Sequence, residues 1–143
     1  MTRGRNWKLL LVEDDRASAE ALMSLFELHQ IETLWSPDGP AALQTLDTVE
    51  RRGERSPVAA LLDLNLPNTD TVQLGREVRF HPAGCPVVLV SAASSQLLEK
   101  TAHEVGAVAA IRKPFSMDTL EEVLRRHVPG EDDAPVRRAE ARS

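Results

Sequence analysis

Five short apolar runs punctuate the chain: Trp7 to Val12, Ile31 to Trp35, Val58 to Leu62, Val87 to Val90 and Ala107 to Ile111. Each has the length of a strand. Several are continuous rather than alternating, as strands covered on both faces are. Segments with helical spacing lie between and after the runs. Leu22, Leu25 and Phe26 share a face of the first, with Ala17 and Ala21 behind them. Ala42, Leu46 and Val49 do so in the second. The third, Asp70 to Phe80, is less regular and is interrupted by Gly75. Leu98, Ala102 and Val105 mark the fourth, and Leu120, Val123, Leu124 and Val128 the last and clearest.

Turn-forming residues divide the chain at the same places. Ser36-Pro37-Asp38-Gly39-Pro40 separates the second run from the second helical segment, and His81 to Pro86 separates the third helical segment from the fourth run. Asp15 is placed to cap the first helix, and Ser116 or Asp118 the last. Gly106 fits the C-terminal cap of the fourth. The order is strand then helix, five times over. Such alternation predicts an α/β fold with a doubly wound parallel sheet, helices on both faces and right-handed crossovers. Residues 1–128 then form one domain. Residues 129–143 are polar and aperiodic, and are expected to be a disordered tail.

Composition narrows the classes. Apolar residues make up 42% and charged residues 27%, enough for a packed core. The net charge of −5 argues against contact with nucleic-acid backbones, which need a basic surface. No apolar stretch is long enough for a signal peptide or a bilayer span. Cys85 is the only cysteine, so no internal disulfide can form, and a small buried role suits it. The expectation is a cytoplasmic domain with no membrane partner.

In open parallel sheets, ligands bind beyond the carboxyl ends of the strands. Read at those ends, the first strand is followed by Glu13-Asp14-Asp15, the third by Asp63, the fourth by Ser91 and the fifth by Lys113-Pro114. Crowded carboxylates repel one another unless a cation sits among them. Oxygen-only donors favour Mg²⁺, with Mn²⁺ or Ca²⁺ as alternatives. His29, His81, His103 and His127 are scattered and are read as non-ligands.

Four motifs together, Leu10-Leu11-Val12-Glu13-Asp14-Asp15, Leu61-Leu62-Asp63-Leu64-Asn65-Leu66-Pro67, Val90-Ser91-Ala92 and Arg112-Lys113-Pro114-Phe115, resemble the receiver domain of two-component response regulators. The resemblance covers Lys8 to Val128. It implies a flavodoxin-like sheet in the order 2-1-3-4-5. It also implies that Asp63 accepts a phosphoryl group from a histidine kinase or phosphotransfer protein in a Mg²⁺-dependent reaction. Carried onto this sequence, Glu13 and Asp14 hold the metal with Asp63, and Asn65 lends its backbone carbonyl. Ser91 meets the phosphoryl oxygen, Lys113 pairs with the acceptor, and the Lys113–Pro114 bond is cis.

Three positions depart from that pattern. Ala110 stands where an aromatic is common, Thr71 where Gly is usual, and Ala93 at a position that tunes phosphoryl lifetime. Thr71 is not expected to take a positive φ, so the loop after Asp63 is expected to differ in shape. An aspartate-nucleophile hydrolase would need a second acid two residues after the nucleophile, and Asn65 stands there. A phosphate-independent interaction module on the same fold is the alternative. Output through a protein contact is expected at Gln96, Glu99, Lys100, His103, Glu121, Glu122 and Arg125 of the fourth and fifth helices.

Overall fold

The computed structural model describes residues 6–92 and 94–127. Its strands are β1 (Lys8–Val12), β2 (Glu32–Ser36), β3 (Ala59–Asp63), β4 (Val87–Ser91) and β5 (Ala109–Arg112). Its helices are α1 (Arg16–Leu28), α2 (Gly39–Arg52), α3 (Thr71–Phe80), α4 (Ser95–Val105) and α5 (Met117–His127). All strand pairs are parallel, in the order β2-β1-β3-β4-β5. This is the doubly wound, flavodoxin-like receiver fold expected above. The expected tail (129–143), Val128 of the last apolar stripe and Ala93 lie outside the described residues.

The continuous apolar runs have a direct cause. Alternate residues of each central strand point to opposite faces, and both faces are covered. Leu9, Leu11, Leu61, Val88, Val90 and Ile111 pack with Ala19 and Phe26 of α1 and with Leu120 and Leu124 of α5. Leu10, Val12, Leu62 and Leu89 pack with Leu46 of α2, Leu74 and Val78 of α3, and Leu98 and Val105 of α4. Cys85 is buried in the second layer, and burial pushes its thiol up to about 12.

Helix ends follow the sequence signals. Asp15, Asp38, Asp70 and Ser94 each accept a backbone N–H of the first turn of α1, α2, α3 and α4. Ser116 Oγ accepts Thr119 N at 3.1 Å and caps α5. Gly106 closes α4 at φ +78°. Gly75, which breaks the pattern of α3, allows that helix to approach α4. A Cβ there would fall 2.5 Å from Val105 Cγ1. Arg76 and Arg79 then reach across and donate to the Glu104 and Val105 carbonyls at the end of α4.

Some expectations shift. Ala17 and Ala21 of α1 are exposed, and Ala19 is the alanine in the core. The second strand starts after Ile31, whose N–H turns back to Phe26 O at the end of α1. The fifth starts at Ala109, because Ala107 N still serves α4 through Ala102 O. Ile31 is buried and Ala107 half-buried, and the N–H of each is taken by the preceding helix and not by a neighbouring strand.

Candidate functional site

Register brings the strand tips together. Val12 lies opposite Leu62, Asp63 opposite Val90, and Ser91 opposite Arg112. Glu13, Asp63, Ser91 and Lys113 therefore stand at one edge of the sheet. Thr71, first residue of α3, donates from Oγ1 to Leu64 O at 3.0 Å and ties the loop after Asp63 back onto itself. The left-handed residue of that loop is Asn68, at φ +51°, and Thr71 is helical. The loop thus has its turn upstream of Thr71, as the side chain at that position requires.

Glu13 is 4% exposed and is held at every polar group. Its N–H donates to Ser36 O, and its carbonyl accepts Trp35 Nε1 at 2.8 Å. Its carboxylate accepts Asp15 N at 3.2 Å and Lys113 Nζ at 3.2 Å. Asp14, by contrast, is exposed. Asp15 has turned away to cap α1, accepting both Ser18 N and Ser18 Oγ. Those bonds hold its carboxyl below the usual carboxylate range.

Asp63 is 9% exposed. One carboxylate oxygen accepts Asn65 N at 2.9 Å in an Asx-type turn, and the other accepts Lys113 Nζ at 3.2 Å. Lys113 thus bridges Asp63 and Glu13. Burial pulls its ammonium pKa down, but the two carboxylates outweigh that and hold it above its ordinary value. The Lys113–Pro114 bond is cis. Ser91 is fully buried, and its Oγ accepts the Asn65 side-chain amide at 3.2 Å.

Carboxylate oxygens of Glu13, Asp14 and Asp63 all lie within 4.8 Å of one another. One ammonium cannot balance three carboxylates in so small a space. Hard oxygen donors with excess negative charge fit a divalent cation of the Mg²⁺ type. Asp47, Glu50 and His81 form a second group of similar spacing. There, His81 Nδ1 accepts Ala83 N at 2.9 Å, so a neutral ring keeps its proton on Nε2 and gives it to Asp47 Oδ1 at 2.7 Å. That nitrogen has no lone pair for a metal, and the link joins α2 to the loop after α3.

Sequence reasoning missed two contacts. The Trp35 indole bond to Glu13 joins residues 22 apart and leaves no periodic trace. Glu121 is half-buried, 3.2 Å from His29 Nδ1 at the end of α1. It thus faces α1, whereas Gln96, Glu99, Lys100, His103, Glu122 and Arg125 are exposed. Ala110 is half-buried against the layer formed by α2, α3 and α4.

Among the described residues, no helix is long and apolar enough to cross a membrane. The chain is similar to sensory transduction protein RegX3 of Mycobacterium tuberculosis, 33% identical over 90% of this chain and 54% of that protein. It is also similar to sporulation initiation phosphotransferase F of Bacillus subtilis, 26% identical over 87% of this chain and 95% of the other. It thus spans about half of one relative and nearly all of another. Among solved structures, the BeF3-activated N-terminal receiver domain of Klebsiella pneumoniae RstA superposes with a TM-score of 0.68. That match is 27% identical and covers 85% of this chain and 98% of the other. The family model for the response regulator receiver domain matches residues 9–125, which hold all five strands except the first residue of β1, and the acidic tips with Lys113. The chain therefore belongs to the response regulator receiver domain family of two-component signalling systems.

Proposed function

We propose that this chain acts as a response regulator receiver whose Asp63 accepts a phosphoryl group from a histidine kinase or phosphotransfer protein. The observation that carries this reading is the convergence of two buried carboxylates, Asp63 and Glu13, on the half-buried Lys113, with Lys113 Nζ 3.2 Å from both. A carboxylate attacks phosphorus only where the approaching negative charge is offset. Lys113 offsets part of it. Mg²⁺ held by Glu13, Asp14, Asp63 and the Asn65 backbone carbonyl would supply the rest and align the donor. One Asp63 oxygen bonds to phosphorus as the donor's P–N bond breaks, and that electron pair stays with the donor imidazole. Water later cleaves the acyl phosphate and returns the carboxylate. In this role the domain catalyses its own phosphorylation and dephosphorylation and has no separate substrate.

The phosphoryl group adds acceptor oxygens beside Ser91, whose Oγ accepts the Asn65 amide and whose hydroxyl proton would then turn to the new acceptor. Residues 1–128 would form the receiver, with 129–143 following it, working in the cytoplasm without direct nucleic-acid or membrane contact. Output would pass to a protein partner through the exposed residues of α4 and α5, Gln96, Glu99, Lys100, His103, Glu122 and Arg125. Glu121 belongs instead to the packing of α5 on α1.

Incubation with acetyl phosphate and Mg²⁺, read by intact mass, tests the reading. Wild type gains one phosphoryl group, and Asp63→Ala gains none. Uptake by Asp63→Ala, or none by wild type from either acetyl phosphate or a phosphorylated histidine kinase, overturns it.

A further inference from the structure

We infer that Trp35 is a positioning residue for the metal-binding turn, acting through the hydrogen bond from its indole N–H to the Glu13 carbonyl. The inference rests on the reading above that Glu13 and Asp14 hold Mg²⁺. β1 and β2 pair in parallel as far as Val12 and Ser36, and Glu13 N still donates to Ser36 O at 3.1 Å. Were the ladder to continue, the next N–H toward the Glu13 carbonyl would be that of Asp38. The strand has ended by then: Pro37 follows Ser36, and Asp38 has turned to cap α2. The carbonyl of a residue only 4% exposed is thus left off the ladder, and Trp35 Nε1 takes it at 2.8 Å. Among the described residues, no backbone N–H is recorded on it.

The placement has a chemical consequence. The Glu13 carbonyl and the Asp14 N–H belong to one planar peptide unit. Fixing the oxygen fixes the plane from which Asp14 departs. Asp14 is exposed, unlike Glu13, whose own carboxylate is already held by Asp15 N and Lys113. The indole therefore sets the starting direction of the least restrained carboxylate of the three. Partners one step removed from a ligand typically change metal affinity by 10–100-fold when lost. A contact through the backbone belongs at the low end, roughly tenfold.

The test is a calorimetric Mg²⁺ titration of the full chain as wild type, as Trp35→Phe, and with 3-benzothienylalanine at position 35. Phe keeps an aromatic ring without the N–H. The benzothienyl group keeps the bicyclic outline with sulfur in place of N–H, and it decides the question if Trp35→Phe fails to fold. The expected result is Mg²⁺ binding about tenfold weaker in both variants. In ¹⁵N-labelled wild type, the Trp35 indole signal should exchange slowly and shift along the calorimetric binding curve. A purely structural role would lower the melting temperature while leaving Mg²⁺ affinity and the titration of that signal alone. Equal affinity in wild type and the benzothienyl variant, or an indole signal that Mg²⁺ does not move, overturns the inference. Weakened Mg²⁺ binding with no phosphoryl uptake on Asp63 would uphold it and end the phosphoacceptor reading. No Mg²⁺ binding by wild type would end both.

Discussion

Lys113 Nζ lies 3.2 Å from Asp63 Oδ2, joining residues 50 apart in sequence at the tips of β3 and β5. The same ammonium lies 3.2 Å from Glu13 Oε1, so a single cation holds two buried carboxylates of a three-carboxylate cluster. The cluster retains excess negative charge even with the lysine in place. It is therefore both a cation trap and a point of internal repulsion, a trade common where function requires like charges together.

The raised pKa of Lys113 gives stability a defined pH dependence. A group whose pKa is higher folded than unfolded stabilises fully below the unfolded value, and that contribution disappears as pH rises through the folded one. The Lys113 contribution should be intact at neutral pH and fade once pH passes about 10.5, its ordinary value. Urea unfolding of wild type and Lys113→Met across the alkaline range should show a gap that is constant near neutrality and narrows above that point. A gap of constant size to the end of the range would mean that the ammonium's charge contributes nothing.

Removing a carboxylate should have opposite effects with and without metal. Asp14 is exposed, and among the described residues no hydrogen bond or ion pair ties its carboxylate into the turn as Glu13 and Asp15 are tied. Asp14→Asn should raise the melting temperature in EDTA by relieving repulsion. In millimolar Mg²⁺ the order should reverse, because wild type gains binding free energy that the variant loses. Thermal melts in the two buffers decide it. A variant less stable than wild type in EDTA would show that Asp14 has a structural partner.

The sequence carried the placement of the site because a parallel sheet puts chemistry at strand ends: Glu13, Asp63 and Ser91 each directly follow an apolar run, and Lys113 follows one after Arg112. Caps at Asp15 and Gly106 were legible because their stereochemistry is local. Strand limits were less so: Ile31 and Ala107 are apolar, yet their N–H groups finish the preceding helices. Hydrophobicity reports what is covered and not which carbonyl an amide meets. The α1 face was misread for a related reason, since Ala17, Ala19 and Ala21 differ only in direction and Phe26 fixes which one turns inward. The Trp35–Glu13 and Glu121–His29 contacts depend on how finished elements pack, and no local pattern encodes either.

Gly75→Ala sets two effects of similar size against each other. Alanine is favoured over glycine inside a helix by about 1 kcal/mol. Against that, the added Cβ would meet Val105 Cγ1 at 2.5 Å in a fully buried contact. Overpacking of this kind costs about 1–3 kcal/mol, so the single variant should be net destabilised by about 1 kcal/mol. Val105→Ala alone should destabilise by leaving a cavity. The double variant should be more stable than the sum of the two predicts, because the new methyl occupies the space the valine vacates. Additive effects in urea unfolding would mean that α3 and α4 separate freely.

Thr71 offers a test of how the loop after Asp63 is kept in shape. Its hydroxyl donates to Leu64 O at 3.0 Å, one residue beyond Asp63, and the residue is 8% exposed. Thr71→Val keeps the outline and removes the donor, leaving that carbonyl without the hydroxyl, at a cost of about 1–2 kcal/mol. Thr71→Ser keeps the donor and loses only a methyl, so it should cost about half as much or less. The consequence should also reach the acceptor, because the Asn65 N–H that holds Asp63 Oδ1 at 2.9 Å belongs to the same loop. Amide exchange at Asn65 should therefore be faster in Thr71→Val than in Thr71→Ser. Equal exchange in the two variants would show that the Asx turn at Asp63 stands without the threonine tie, and that the hydroxyl serves only the start of α3.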